Sequence, residues 1–202
     1  MYFMSRRLVV ALSLAALVTA AMLTRAPAQD AGKAVAEKAQ LCAACHGANG
    51  VPIVKTIPVI WGQQAGYLYL QLRDFKSGAR KNPIMGPMAQ SLKHDEMLAV
   101  AEYFSKKKWP QLGQPPAPAD VAHLAEQTNS SIGCTGCHQG NYQGAGTQPR
   151  LAGQRREYLE RQMLAFRDGS RGNNPGMSDL MKAATKPQLA AMAQYLSGKL
   201  VR

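Results

Sequence analysis

Apolar positions recur close to a 3.6-residue period in two places: Tyr67, Leu68, Leu70, Leu72 and Phe75, and again Tyr158, Leu159, Met163, Leu164 and Phe166. That period is one face of an amphipathic helix and predicts helices over residues 66–76 and 157–167. Gly78 and Gly169 lie just past the predicted C-termini, where a left-handed residue closes a helix. Residues 32–41 and 95–107 have helical character around the first of these helices, and residues 120–128 and 186–197 around the second. No stretch makes a convincing strand, and loops rich in glycine and proline separate the elements. The expected fold class is all-α, with three helices in each half.

The two halves repeat. His46, Met85 and Tyr103 recur as His138, Met177 and Tyr195 at an offset of 92. Between them Pro58, Gly62, Gln63, Tyr67, Gln71, Phe75, Gly78 and Arg80 recur at an offset of 91 as Pro149, Gly153, Gln154, Tyr158, Gln162, Phe166, Gly169 and Arg171. Duplicated domains over residues 29–109 and 120–202 are expected. The proline-rich stretch 110–119 between them cannot continue a helix and is expected to run extended as a linker. A domain of about 80 residues has a marginal core of its own, which a bound cofactor commonly completes.

The repeat also carries the chemistry. Cys42-Ala43-Ala44-Cys45-His46 recurs as Cys134-Thr135-Gly136-Cys137-His138, and together these use all four cysteines of the chain. C-x-x-C-H is the attachment signature of a c-type haem: each sulfur adds to one vinyl group, and the histidine that follows is placed under the iron. Two covalently bound haem c groups are expected, attached through Cys42, Cys45, Cys134 and Cys137, with His46 and His138 as axial ligands. A structural zinc site would need its cysteine pairs separated by roughly 15–20 residues, far closer than these two lie. A thioredoxin-like pair would need a βαβ context that neither motif has.

A thioether is a soft sixth ligand that favours ferrous iron. Met85 and Met177 are the methionines after the two motifs that coincide in the repeat, and both follow matching Asn-Pro-x segments that suggest loops. Met88 and Met181 are the rivals for these positions. His94 and His123 have no counterpart in the other half and are expected at the surface. Pro58 and Pro149 either make simple turns or supply the carbonyl that fixes a proximal histidine ring. No residue set suggests catalysis.

The ends and the charge bear on location and partners. Arg6 and Arg7, the apolar run from Leu8 to Leu23, and Ala26-Pro27-Ala28 together have the form of a cleavable export signal over residues 1–28. The apolar run also approaches the roughly 17 residues needed to span a bilayer, so an uncleaved tether is the alternative. The net charge is +12, and loss of Arg6, Arg7 and Arg25 with the signal leaves +9. Two haems bearing propionates would bring it to about +5, a surface suited to acidic partner proteins or an anionic membrane. No nucleic-acid-binding signature accompanies this charge, and Lys106-Lys107-Lys108 is expected to be a solvated helix end.

With both haem motifs, the Gly-Gln-x₃-Tyr-Leu segment, the F-x-x-G-x-R segment and the Met-x₆-Leu segment in view, the chain resembles the diheme cytochrome c4 family of class I cytochromes c over residues 31–202. The second half departs where Ala184 stands in place of Leu92. The resemblance implies two tandem all-α cytochrome c domains, each wrapped around one haem, with propionate edges facing each other. It implies a periplasmic electron carrier between a quinol-oxidising complex and a terminal oxidase. It also implies Met85 and Met177 as sixth ligands and the carbonyls of Pro58 and Pro149 as partners of the histidines. The alternatives are a small diheme oxidoreductase, thiosulfate-oxidising or peroxidase-like, and a cytochrome subunit of a membrane-bound respiratory complex.

Overall fold

A computed structural model describes residues 26–200, all helix, turn and loop apart from one isolated bridge between Ala145 and Gln148. The export signal expected over residues 1–28 falls, but for its last three residues, outside them. Contacts divide the chain after Lys38: one unit is Met1–Lys38, and the other, Ala39–Arg202, holds both repeats. No helix among the described residues is long and apolar enough to cross a membrane.

In the first repeat α1 (Ala26–His46) is followed by α2 (Ala65–Ser77), α3 (Met85–Gln90) and α4 (His94–Ser105). The second contains α5 (Ala119–Ile132), α6 (Cys134–His138), α7 (Arg156–Asp168), α8 (Pro175–Ala183) and α9 (Lys186–Gly198). The amphipathic pair appears as α2 and α7, closed by left-handed Gly78 and Gly169 with φ of 79° and 81°. α4 and α9 each begin in a capping box in which a Glu or Gln side chain, Glu96 or Gln188, accepts from the backbone amide ahead of the helix.

Two features depart from the sequence expectation. The first haem motif is the last turn of one continuous helix, α1, whereas in the second half the helix stops and the motif forms the separate α6. Position 133 is glycine with φ of 71°, and its counterpart 92 residues earlier is Leu41. A left-handed residue costs little at glycine and much at leucine, so the break occurs only where the Cβ is missing. The segments carrying Met85 and Met177 are the starts of short helices, α3 and α8, instead of loops. Asn82 Oδ1 accepts from the amides of Ile84 (3.0 Å) and Met85 (2.8 Å), and Asn174 Oδ1 accepts from the amide of Met177 (3.0 Å). Each asparagine thereby satisfies amide groups that a helix start leaves open.

The second repeat packs α7, α8 and α9 around Leu159, Met163, Phe166, Leu189, Met192 and Leu196. The first is thinner, with Ala39, Val100 and Phe104 buried and Ile60, Trp61, Leu68 and Leu72 half-buried against them. The linker is not a free spacer: Gln114 Nε2 donates to the Gln154 carbonyl at 2.9 Å, its Oε1 accepts from the Arg156 amide at 3.1 Å, and Trp109 is 5% exposed.

The repeats meet through paired polar contacts. Gln71 Oε1 accepts from Arg80 (2.8 Å) and Arg171 (3.0 Å), and Gln162 Oε1 likewise accepts from Arg171 (2.9 Å) and Arg80 (2.6 Å). Both guanidiniums are buried. Arg80 also donates to the Tyr158 hydroxyl at 3.1 Å. Burial pushes that phenol up, but the charges of Arg80 and Arg171 more than offset it and bring Tyr158 to about 8. Asn173 Nδ2 donates to Asp74 at 2.8 Å, and the buried Asp74 carboxylate pairs with Arg73. Replacing Arg80 by alanine removes three charge-assisted hydrogen bonds and leaves Gln71 and Gln162 to Arg171 alone among the two guanidiniums. We expect a loss of roughly 2–3 kcal/mol in urea unfolding of the holoprotein, and a loss below 0.5 kcal/mol would show the network to be dispensable.

Candidate functional site

In the first half, α1 ends with Cys42 half-buried against Ala39, Val100 and Phe104, and with His46 buried. His46 Nδ1 lies 2.8 Å from the Pro58 carbonyl oxygen. In the second half His138, also buried, has Nδ1 2.9 Å from the Pro149 carbonyl. A carbonyl can only accept, so in both rings Nδ1 carries the proton and Nε2 keeps its lone pair for a metal. Burial holds both imidazoles below the ordinary histidine range, opposed by the same hydrogen bond. They are therefore neutral at pH 7, the protonation state that ligates.

The four cysteines form no disulfide. Burial pushes the Cys42 and Cys134 thiols above their ordinary value, opposite to what a nucleophilic thiolate requires. Among the described residues no three His, Cys, Asp or Glu side chains come together to hold a bare metal ion. Cys134 and Met177 are each half-buried against the second core cluster, as are Leu151, Leu164 and Leu180. The rival Met181 lies inside that core at 3% exposure, where it acts as packing. Met85 is half-buried at the start of α3 and lies outside the first cluster, and Met88 is half-buried one turn on. His94 and His123 are exposed, with the Tyr69 hydroxyl 3.4 Å from His94 Nδ1.

Buried polar atoms without partners test whether a haem fits. Among the described residues, four buried side-chain atoms lack a hydrogen-bond partner: Trp61 Nε1, Trp109 Nε1, Arg150 Nε and Arg155 Nε. All four are donors, and leaving a buried donor unpaired costs about 1–3 kcal/mol. Carboxylates can satisfy donors of this kind, and a haem carries two. Arg150 follows Pro149 directly, and its guanidinium stacks 4.8 Å from the Trp109 ring of the other half. The residues present fit an anionic, largely apolar disc in each half. Sequence reasoning missed these donors, since nothing local distinguishes them from other tryptophans and arginines.

The sequence matches the Cytochrome c family twice, over residues 29–108 and 119–198. The chain is a diheme cytochrome of the cytochrome c4 family. It is 35% identical over 170 residues to cytochrome c4 of Thiocapsa roseopersicina, covering 78% of this chain and 86% of that protein. It is 37% identical over 170 residues to the thiosulfate dehydrogenase electron acceptor of Stutzerimonas stutzeri (strain A1501), covering 79% of each. The crystal structure of reduced cytochrome c4 from Pseudomonas stutzeri superposes with a TM-score of 0.74 at 28% identity, over 84% of this chain and 98% of that one. As a cytochrome c4, the chain folds as two tandem all-α cytochrome c domains, carries two covalently bound haem c groups and serves in electron transfer.

Proposed function

We propose that this cytochrome c4 is an exported, periplasmic carrier that takes electrons from a quinol-oxidising complex and passes them toward a terminal oxidase. Its signal is residues 1–28, its domains are residues 29–109 and 120–202, and the linker is 110–119. Cys42 and Cys45 tether the first haem and Cys134 and Cys137 the second. His46 with Met85 would ligate the first iron, and His138 with Met177 the second. The observation that carries this reading is the pair of histidine rings whose Nδ1 protons are engaged by the Pro58 and Pro149 carbonyls, leaving two equivalent ligating nitrogens. When bound, each haem supplies a reversible one-electron ferric/ferrous couple. The protein orients the imidazoles, supplies thioethers that favour the ferrous state and buries the disc from water. With a histidine and a methionine each as ligands, the two irons would offer no open position to a substrate, which suits transfer of electrons alone.

A second reading differs only in the donor. Two relatives, 37% and 36% identical, are named thiosulfate dehydrogenase electron acceptor, so a thiosulfate-oxidising dehydrogenase is the alternative source of electrons. Partners with acidic docking surfaces suit the net charge of +9 that remains once the signal is removed. Stopped-flow mixing of the oxidised holoprotein with each purified donor decides between them. We expect saturable reduction of both haems by the quinol-oxidising complex, with a second-order rate that falls as ionic strength rises. Rapid reduction by the thiosulfate dehydrogenase alone selects the second reading, and reduction by neither rejects both.

A further inference from the structure

Gln63 and Gln154 are matching positions of the repeat, buried at 3% and 2% exposure, and each side chain reaches into the opposite half. Gln154 Oε1 accepts from the Val59 amide at 2.8 Å, and its Nε2 donates to the Val59 carbonyl at 2.9 Å. Gln63 Oε1 accepts from the Arg150 amide at 2.7 Å, and its Nε2 donates to the Arg150 carbonyl at 2.9 Å. Each Oε1 also accepts from the amide that follows it in its own chain, of Arg155 or Gln64, at 2.9 Å, which pins the side chain from both sides.

The clamped amides are not arbitrary. The N–H of Val59 and the C=O of Pro58 are the two ends of one peptide unit, and that carbonyl holds His46 Nδ1 at 2.8 Å. The N–H of Arg150 and the C=O of Pro149 are likewise one unit, and that carbonyl holds His138 Nδ1 at 2.9 Å. A planar peptide accepting charge at its N–H end is a stronger acceptor at its oxygen, because the resonance polarises both ends together. A stronger acceptor at Nδ1 makes the imidazole a better donor at Nε2 and stabilises ferric iron.

We propose that Gln154 and Gln63 are crossed positioning residues, each setting the orientation and basicity of the axial histidine in the opposite half through one shared peptide unit. The inference rests on the reading of His46 and His138 as axial ligands. It makes the association of the halves part of each haem's own ligand shell, so neither potential belongs to its domain alone. Either half on its own would lose the group that polarises its histidine's acceptor.

The test is redox titration of holoprotein variants, with haem-methyl resonances assigned to each half so that the two potentials are read separately. Gln154→Leu keeps the bulk of the side chain and removes its hydrogen bonds. We expect the potential of the N-terminal haem to rise, shifting the electron-sharing equilibrium between the haems roughly threefold toward it, with the C-terminal haem unchanged. Gln63→Leu should do the reverse. Gln154→Glu keeps the accepting oxygen and should hold the N-terminal potential at or below the wild-type value. Shifts confined to the substituted half, equal shifts of both haems, or no shift overturn the crossed assignment, because a merely structural role predicts those. If Gln154→Leu gives no folded holoprotein, an N-terminal potential in Gln154→Glu above that of wild type overturns it instead. Wild-type spectra lacking histidine ligation would overturn the ligand reading itself and the inference with it, whereas intact ligation with uncrossed shifts overturns the inference alone.

Discussion

Met177→Ala is expected to leave the C-terminal iron without its sulfur ligand, while the N-terminal haem keeps its own. Met177 sits in the first turn of α8, held there by Asn174, and packs half-buried against the core of the second repeat. Its neighbour Met181 is committed to the core and cannot swing out without opening a cavity, which would cost about 2–5 kcal/mol. The variant should therefore lose half of the weak far-red sulfur-to-iron band, bind exogenous imidazole or cyanide at one iron only, and show one potential lowered substantially within the roughly 0.8 V that axial ligation spans. Met85→Ala should do the same to the other haem. An unchanged band in either variant would transfer the ligand role to Met181 or Met88.

The second large effect concerns attachment. Cys134→Ala combined with Cys137→Ala removes both thioether tethers of the C-terminal haem, and the intact mass should then show one haem on the polypeptide in place of two. The loss should also be structural, because Cys134 packs against the core of the second repeat and a domain of about 80 residues is marginal without a cofactor to complete its core. Helical circular dichroism of the variant should fall, and proteolysis should begin in residues 120–200. Two haems still fixed to the double variant would refute the assignment of the motif.

Much of this was legible because it is local. The periodicity of residues 66–76 and 157–167 and the glycines after them place α2 and α7 to within a residue or two, since burial of one face and a left-handed closure are properties of neighbouring positions. The short helices α3 and α8 could also have been found: Asn82 and Asn174 stand three residues ahead of the methionines, where a side-chain oxygen caps a helix start. Gly133 against Leu41 likewise announces that one helix breaks before its motif and the other does not.

Gln63 and Gln154 mark the limit. The repeat singles them out, yet a buried glutamine's partner is decided by which backbone stands opposite it, and here that backbone is 87 or 95 residues away. The unpaired donors of Trp61, Trp109, Arg150 and Arg155 are also a tertiary fact, since an N–H is unpaired only relative to what surrounds it. By itself the chain of residues determined the amphipathic helices α2 and α7, the duplication and the two C-x-x-C-H motifs, all set by spacings within a few residues or by an internal repeat. Only the tertiary structure decided that each half clamps the backbone beside the other's Pro58 or Pro149 carbonyl, because hydrogen bonding between distant segments depends on how the helices pack and not on their order.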